Sequence, residues 1–321
     1  MRRSSCARRS ARCPGIESLN YEEKLYQLLR EDERLMALTA ENRAPIRGLP
    51  AKIPERFIDV GICEQTMIGV AAGLALRGRI PIVHALASFL TMRAFEFIRT
   101  DVGIPALPVK LVGGFSGFLS EANGPTHQAL EDIALMRGIP HVNVWCPADR
   151  QELVEGLETV LRDPAPYYIR YIDSPPTVGH RKPFAPGRAE VLCQGTDIAM
   201  LCYGLLTAQC YEASRLLSQE GLSVRLVTMR TLKPVDEDAI VGAAEQAGLI
   251  VSVEDHFKAG GLYSIIAEVL LQRGAKARVL PIALDGRWFR PALLNDVLEY
   301  EGFTAEALCA RIKAGLARVA T

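Results

Sequence analysis

Arg56-Phe-Ile-Asp-Val-Gly-Ile-Cys-Glu-Gln65 runs directly into Thr66-Met-Ile-Gly-Val-Ala-Ala-Gly-Leu-Ala-Leu76, and the reading of this stretch decides the fold. An apolar run of strand length, Phe57–Val60, turns at Gly61 and opens a helix that is hydrophobic almost all round, the pattern of a buried helix. Glu64 therefore stands at a strand-to-helix turn where water is scarce. A carboxyl there is paired, neutralised or functional, because burying a bare charge costs several kcal/mol. Read locally, two roles stay open: an acid capping the positive end of the helix dipole, or a working carboxylate.

Outward from this unit the same rhythm repeats. An amphipathic helix (19–35) leads to a strand at Leu35–Thr39, and a loop broken by Pro45, Gly48, Pro50 and Pro54 follows. Strand 57–60 leads to helix 64–76, strand 80–85 to helix 90–102, and strand 109–113 to a glycine-rich loop through Pro125. Helix 127–137 then precedes strand 141–145, and helix 149–162 precedes strand 167–171. Short apolar runs separated by helices predict crossover connections and a parallel sheet covered on both faces. Four prolines without periodicity make residues 173–187 the expected interdomain linker. Beyond it come strands 198–202, 223–227, 249–253 and 277–281, with helices 206–219, 236–246, 261–273 and 304–317. The expected fold is thus α/β, two α/β domains with mainly parallel sheets at 19–172 and 188–321, after a disordered basic tail at 1–18.

Composition excludes several classes. The 321 residues carry 37 Lys plus Arg against 37 Asp plus Glu, so no global charge argues for nucleic acid or a membrane surface as partner. No apolar run approaches the ~20 residues of a membrane span. Cys6, Cys13, Cys63, Cys146, Cys193, Cys202, Cys210 and Cys309 are scattered, with no metal-ligand spacing and no disulfide framework. Most lie in apolar runs, which suits reduced thiols in a cytoplasmic protein. The first 16 residues hold five arginines and no acid, a composition shared by transit peptides and disordered tails.

Ligand sites of open parallel sheets lie at the carboxyl ends of strands. That rule gathers Glu64, Ser88-Phe89 and the loop 113–127 on one edge. His127, in Gly124-Pro-Thr-His, falls at the start of the helix expected at 127–137, where the dipole favours a neutral imidazole. Phe89, Met92 and Phe95 at a spacing of three form one helix face, either core or an apolar platform for a flat heterocycle. Arg170 ends a strand, and Arg93 and Arg99 follow Phe89; arginines so placed either clamp a phosphate or make ordinary ion pairs. Gly113-Gly-Phe-Ser-Gly117 lacks the phosphate-cradle pattern. Glu254-Asp-His256 before Gly260-Gly261 reads as a helix start.

Taken in order, Asp59-Val-Gly-Ile-Cys-Glu-Gln65, Ala87-Ser-Phe-Leu90, Gly124-Pro-Thr-His-Gln128, Glu131-Asp-Ile-Ala134, Arg137 and Pro147-Ala-Asp149 resemble the pyrimidine-binding domain of transketolases. Thr231-Leu-Lys-Pro-Val-Asp236 and Val253-Glu-Asp-His256 with Gly260-Gly-Leu262 resemble their C-terminal domain. The resemblance implies the C-terminal subunit of a split transketolase, moving a two-carbon ketol unit between sugar phosphates. Its cofactor would be thiamine diphosphate, with Mg²⁺ (or Ca²⁺) held by an N-terminal, diphosphate-binding partner subunit in an α₂β₂ assembly. Glu64 would share a proton with the cofactor's pyrimidine ring and so promote ylid formation. Phe89 would stack on that ring with Met92 and Phe95 beside it. His127 would be catalytic and face the sugar, and Arg170 and Asn123 would contact substrate. The loop reads Gly114-Phe-Ser-Gly-Phe118 where many family members carry a His-Asp pair, and Asn123 stands where an acid is common. Both departures touch the donor site, so a specialised acyloin-forming or deoxysugar-phosphate synthase using a 2-oxoacid is the alternative. From another class, a non-catalytic scaffold or regulatory subunit is also open.

Overall fold

The structure, a computed structural model, describes residues 19–41, 44–180 and 183–317. The basic stretch expected to be a tail, 1–18, lies outside the described residues. Asn20 starts the fold: its side chain accepts from the Glu23 N–H while Glu23 accepts from the Asn20 N–H, each at 2.9 Å. This capping box satisfies the first orphan donors of α1 (Tyr21–Glu31), which buries Tyr21, Leu25, Leu28 and Leu29. Then follow β1 (Leu35–Thr39), α2 (Leu49–Lys52) within the proline-rich loop, β2 (Phe57–Asp59), α3 (Glu64–Leu76) and β3 (Ile80–Leu86).

The single helix expected at 90–102 does not form. Thr91 donates its hydroxyl to the Ala87 carbonyl at 2.7 Å, and the Ala94 N–H reaches back five residues to the Phe89 carbonyl at 3.3 Å. Such competition bends and widens a helix. The result is π-helical turns at Phe89–Arg93 and Ile98–Gly103 around a short α4 (Phe95–Phe97).

The first domain continues through β4 (Lys110–Gly114), α5 (Asp132–Arg137), β5 (Asn143–Trp145), α6 (Arg150–Arg162), N-capped by Asp149, and β6 (Tyr167–Arg170). After the connecting segment come β7 (Glu190–Cys193), β8 (Ile198–Cys202), α7 (Thr207–Gln219), β9 (Val224–Thr228), β10 (Thr231–Lys233), α8 (Glu237–Gln246), β11 (Leu249–Phe257), α9 (Leu262–Gln272), β12 (Val279–Leu284), α10 (Leu294–Tyr300) and α11 (Ala305–Ala317). Two α/β layers result, one sheet ordered β10-β5-β6-β4-β3-β1-β2 and the other β12-β11-β8-β9-β7. All pairings are parallel except β10 with β5 and β7 with β9.

Three features depart from the expected layout. Strand β10 belongs by sequence to the second half yet pairs with β5 in the first sheet, so a strand sewn across the boundary joins the halves. Strand β11 runs on through Phe257 where a strand ending at Val253 was expected, and α9 begins at Leu262, within one residue of the expected helix start at Gly261. Helix α3 is buried on one side only: Ile62 before it and Leu76 at its end are 70% and 71% exposed. Among the described residues Cys63, Cys146, Cys202, Cys210 and Cys309 are free thiols, whereas Cys193 is disulfide-bonded, where the scattered spacing suggested no disulfide framework. No helix among the described residues is long and apolar enough to cross a membrane.

Buried charge closes both sides of the joint. On one side, Arg170 at the end of β6 reaches Asp132 of α5 at 2.8 Å and Asp255 of β11 at 2.6 Å. On the other, His180 in the connecting segment lies 2.9 Å from Glu190 and 3.4 Å from Asp149, while Arg230 pairs with Glu152 at 2.9 Å and Glu190 at 2.6 Å. Burial opposes a charged imidazole, but the close carboxylates of Asp149 and Glu190 outweigh it and push the His180 pKa up to about 10. A folded-state pKa above the unfolded value near 6.5 contributes stability that is complete below pH ~6.5 and is lost as pH rises through about 10. His180→Gln should therefore cost about 3 kcal/mol at pH 6. In chemical denaturation across pH, the deficit should shrink toward pH 10; a deficit independent of pH would contradict a charged His180.

Candidate functional site

Strand order places the site. The chain goes from β1 to β2 on one side and returns to β3 on the other side of β1, a reversal that opens a crevice at the strands' carboxyl ends. Glu64 follows β2, Phe89 follows β3, and His127 lies in the loop after β4. The structure brings these three residues together, as the strand-edge rule predicts.

Glu64 is 2% exposed, and its carboxylate accepts from Arg93 Nη1 at 2.8 Å. A buried acid needs such a partner, and here it comes from the π-helical turn. With the wider turn, the residue four on from Phe89 returns over its ring, so the Arg93 guanidinium lies 4.1 Å from the Phe89 centroid, within cation–π range. His127 meets Phe89 edge-on with centroids 4.9 Å apart, and its Nδ1 lies 2.9 Å from the Thr126 hydroxyl. Carboxylate, aromatic face and imidazole thus converge at one mouth, a set suited to a flat heterocycle bearing polar ring edges.

Several expected roles change. The helix expected at 127 starts at Asp132, because the His127 and Gln128 N–H groups both turn back to the Gly124 carbonyl and Ala129 bridges to Ser116. The helix dipole therefore does not act on His127; packing against Phe89 and the Thr126 hydroxyl orient it instead. Met92 is 40% exposed and Phe95 packs against the apolar core, so the spacing of three does not make one platform with Phe89. Asn123 is exposed at the end of a pair of 3₁₀ turns, Gly117–Asn123, separated by a kink at Glu121.

Arg170 differs most from its expected role. It is 5% exposed and already holds Asp132 and Asp255, so a sugar phosphate would have to displace a carboxylate. Gly117 explains the close fit: its φ is +56°, and a Cβ there would stand 1.8 Å from Asp255 Oδ2, a space and a backbone geometry that only glycine supplies. The glycine-rich loop is thus a seat for Asp255, whose Oδ2 also accepts from the Phe118 N–H at 3.4 Å. From the second domain, the Phe289 carbonyl accepts from Gln128 Nε2 at 2.9 Å, which buttresses the loop bearing His127. Sequence reasoning missed Arg93, Asp132 and Asp255 as partners; alternation along β11 was the available signal for Asp255, had the strand been extended past Val253. Among the described residues, no group of three or more His, Cys, Asp or Glu could hold a metal ion.

Comparison with known proteins fits this geometry. Residues 19–173 match the model of the transketolase pyrimidine-binding domain and residues 187–308 that of the transketolase C-terminal domain. The chain is 34% identical over 254 residues to a 6-deoxy-6-sulfo-D-fructose transketolase subunit of a Clostridium species, covering 78% of this chain and 79% of that one. It is 32% identical over 315 residues to a 1-deoxy-D-xylulose-5-phosphate synthase of Symbiobacterium thermophilum, covering 95% of this chain but 48% of the synthase. Among solved structures, one described as a split-gene transketolase, an inactive beta4 tetramer, superposes with a TM-score of 0.83 at 34% identity, covering 92% of this chain and 97% of that one.

The role of Arg170 is open to measurement. Arg170→Met strands two buried carboxylates and should lower unfolding free energy by about 3–5 kcal/mol, read from the denaturant midpoint. An unchanged midpoint combined with a raised KM for phosphorylated substrates would restore the phosphate-binding role.

Proposed function

We propose that this chain, which belongs to the transketolase family, is the C-terminal subunit of a two-chain, thiamine-diphosphate-dependent transketolase. The observation that carries the reading is the placement of the Phe89 ring face beside the buried carboxylate of Glu64, with His127 at the same mouth. An aminopyrimidine fits such a site: a flat ring for Phe89 and a polar nitrogen edge for Glu64. The diphosphate and its Mg²⁺ (or Ca²⁺) are assigned to an N-terminal partner subunit. Support for that division comes from the likeness, over nearly its whole length, to a chain described as a split-gene transketolase.

Thiamine diphosphate, when bound, supplies the carbanion chemistry. The residues of this chain do the positioning. Glu64 would share a proton with a nitrogen of the bound ring, in a place where scarce water strengthens the hydrogen bond. Phe89 fixes the ring plane and leaves an edge for His127, which hydrogen-bonds the oxygens of the sugar substrate. Orientation of this kind converts a bimolecular encounter into a nearly unimolecular one.

Assembly follows from the surface as well. Helix α3 presents Gly69 and Gly73, where an added Cβ would meet open space, between exposed Ile62 and Leu76. A partly apolar face with so little side-chain relief lets another helix approach closely, which supports an α₂β₂ assembly packed around the site. A cytoplasmic location belongs to the same reading. The loop Gly114–Phe118 and the likeness to a deoxyxylulose-phosphate synthase favour one alternative, a 2-oxoacid donor. A non-catalytic scaffold would leave the buried Glu64 carboxylate without a use.

Two measurements test the reading. The chain mixed with a diphosphate-binding subunit should transfer a two-carbon unit from ketose phosphates, and neither chain should do so alone; turnover with pyruvate only would move the assignment to the synthase alternative. In the assembled enzyme, Glu64→Gln should slow exchange of the cofactor's C2 proton by at least about 10²-fold, the scale of positioned acid–base catalysis. Exchange at the unsubstituted rate would remove Glu64 from the chemistry.

A further inference from the structure

Arg93 makes two contacts at once that have no structural need of each other. Its guanidinium covers the Phe89 ring at 4.1 Å and donates Nη1 to Glu64 Oε2 at 2.8 Å. A guanidinium is planar, delocalised and edged with N–H donors. It therefore presents to this site what an aminopyrimidine presents, a flat π-face with nitrogen donors along one edge. The two cannot share the same ring face and the same carboxylate oxygen.

The pair is also asymmetric. Glu64 is 2% exposed and cannot be left charged without a partner, whereas the Arg93 side chain is 41% exposed and can return to water at little cost. Arg93 springs from a π-helical turn, Phe89–Arg93, at the mouth of the crevice, so the swing outward moves a side chain and no core residue.

We propose that Arg93 is a displaceable plug, which occupies the pyrimidine subsite of the ligand-free chain and keeps Glu64 paired until a planar aminoheterocycle takes over both contacts. The proposal rests on the function assigned above and adds a step to it: cofactor entry is an exchange of one planar nitrogen group for another. An occupant that must first leave lowers apparent affinity by the fraction of time the site stands open. The same contact keeps the carboxylate and the aromatic face preorganised while the cofactor is absent.

The experiment uses the full chain without any partner and titrates it with 4-amino-5-hydroxymethyl-2-methylpyrimidine, followed by ligand-observed NMR. Arg93→Ala should bind this probe about tenfold more tightly than the unsubstituted chain, the gain expected if the site is open about one-tenth of the time. Arg93→Gln, which keeps a polar side chain at the mouth, should gain as well and guards against a folding defect, with thermal melts recorded for every variant. Glu64→Gln should lose the probe in either background. Equal or weaker binding by both Arg93 variants, with Glu64→Gln still deficient, overturns the plug and leaves the cofactor site standing. Probe binding unaffected by Glu64→Gln, or absent from every folded variant, overturns the plug and the pyrimidine reading together.

Discussion

Arg170 between Asp132 and Asp255 is the interaction on which the rest of the molecule depends. The arginine ends β6 of the first sheet, Asp132 opens α5, and Asp255 stands near the end of β11 in the second sheet. Tyr168 adds its hydroxyl to Asp132 at 2.6 Å. One guanidinium fork thus holds two carboxylates from different layers with fixed geometry. Buried ion networks add little net stability over apolar packing, yet they penalise any arrangement that separates their members. Here the penalised arrangement is a slipped joint between the halves, which would carry the loop bearing His127 away from Phe89.

The second strand of that joint shows how alternation along β11 distributes work. Successive side chains point to opposite faces, so three consecutive polar residues find three different partners. Glu254 accepts from the Leu262 and Tyr263 N–H groups at 2.6 and 2.9 Å, and burial pushes its pKa up to about 8. Asp255 meets Arg170 and the seat at Gly117. His256 Nε2 accepts from the Ala134 N–H at 3.3 Å at the start of α5. A cluster of three polar residues in the sequence is thus a fastening in the fold, while Glu64, Phe89 and His127 gather elsewhere, at the strand ends of the first sheet.

Much of the architecture was legible because it follows from local periodicity. Alternating apolar runs and helices forecast both α/β layers, and the strand-edge rule forecast that Glu64, Phe89 and His127 would meet. The failures have particular causes. Thr91 and the Phe89 carbonyl widened the expected helix into π turns, and Arg93 lies over the Phe89 ring. Gly124 gathered two N–H groups and delayed α5 by five residues relative to His127. The ion pairs of Arg170 were not legible because a strand-end arginine has the same sequence signal whether it awaits a phosphate or already holds two carboxylates.

By itself, then, the amino-acid sequence determined the two-layer α/β class, the buried position of Glu64 and the edge on which Glu64, Phe89 and His127 meet, since these depend on spacing within about a dozen residues. Only the tertiary structure decided what each charge faces. It paired Glu64 with Arg93, Arg170 with Asp132 and Asp255, and β10 with β5, joining residues 29, 38, 85 and about 87 positions apart. Burial makes those partners obligatory, because a charge or strand edge removed from water must find its complement wherever the fold brings one, and no local pattern records where that is.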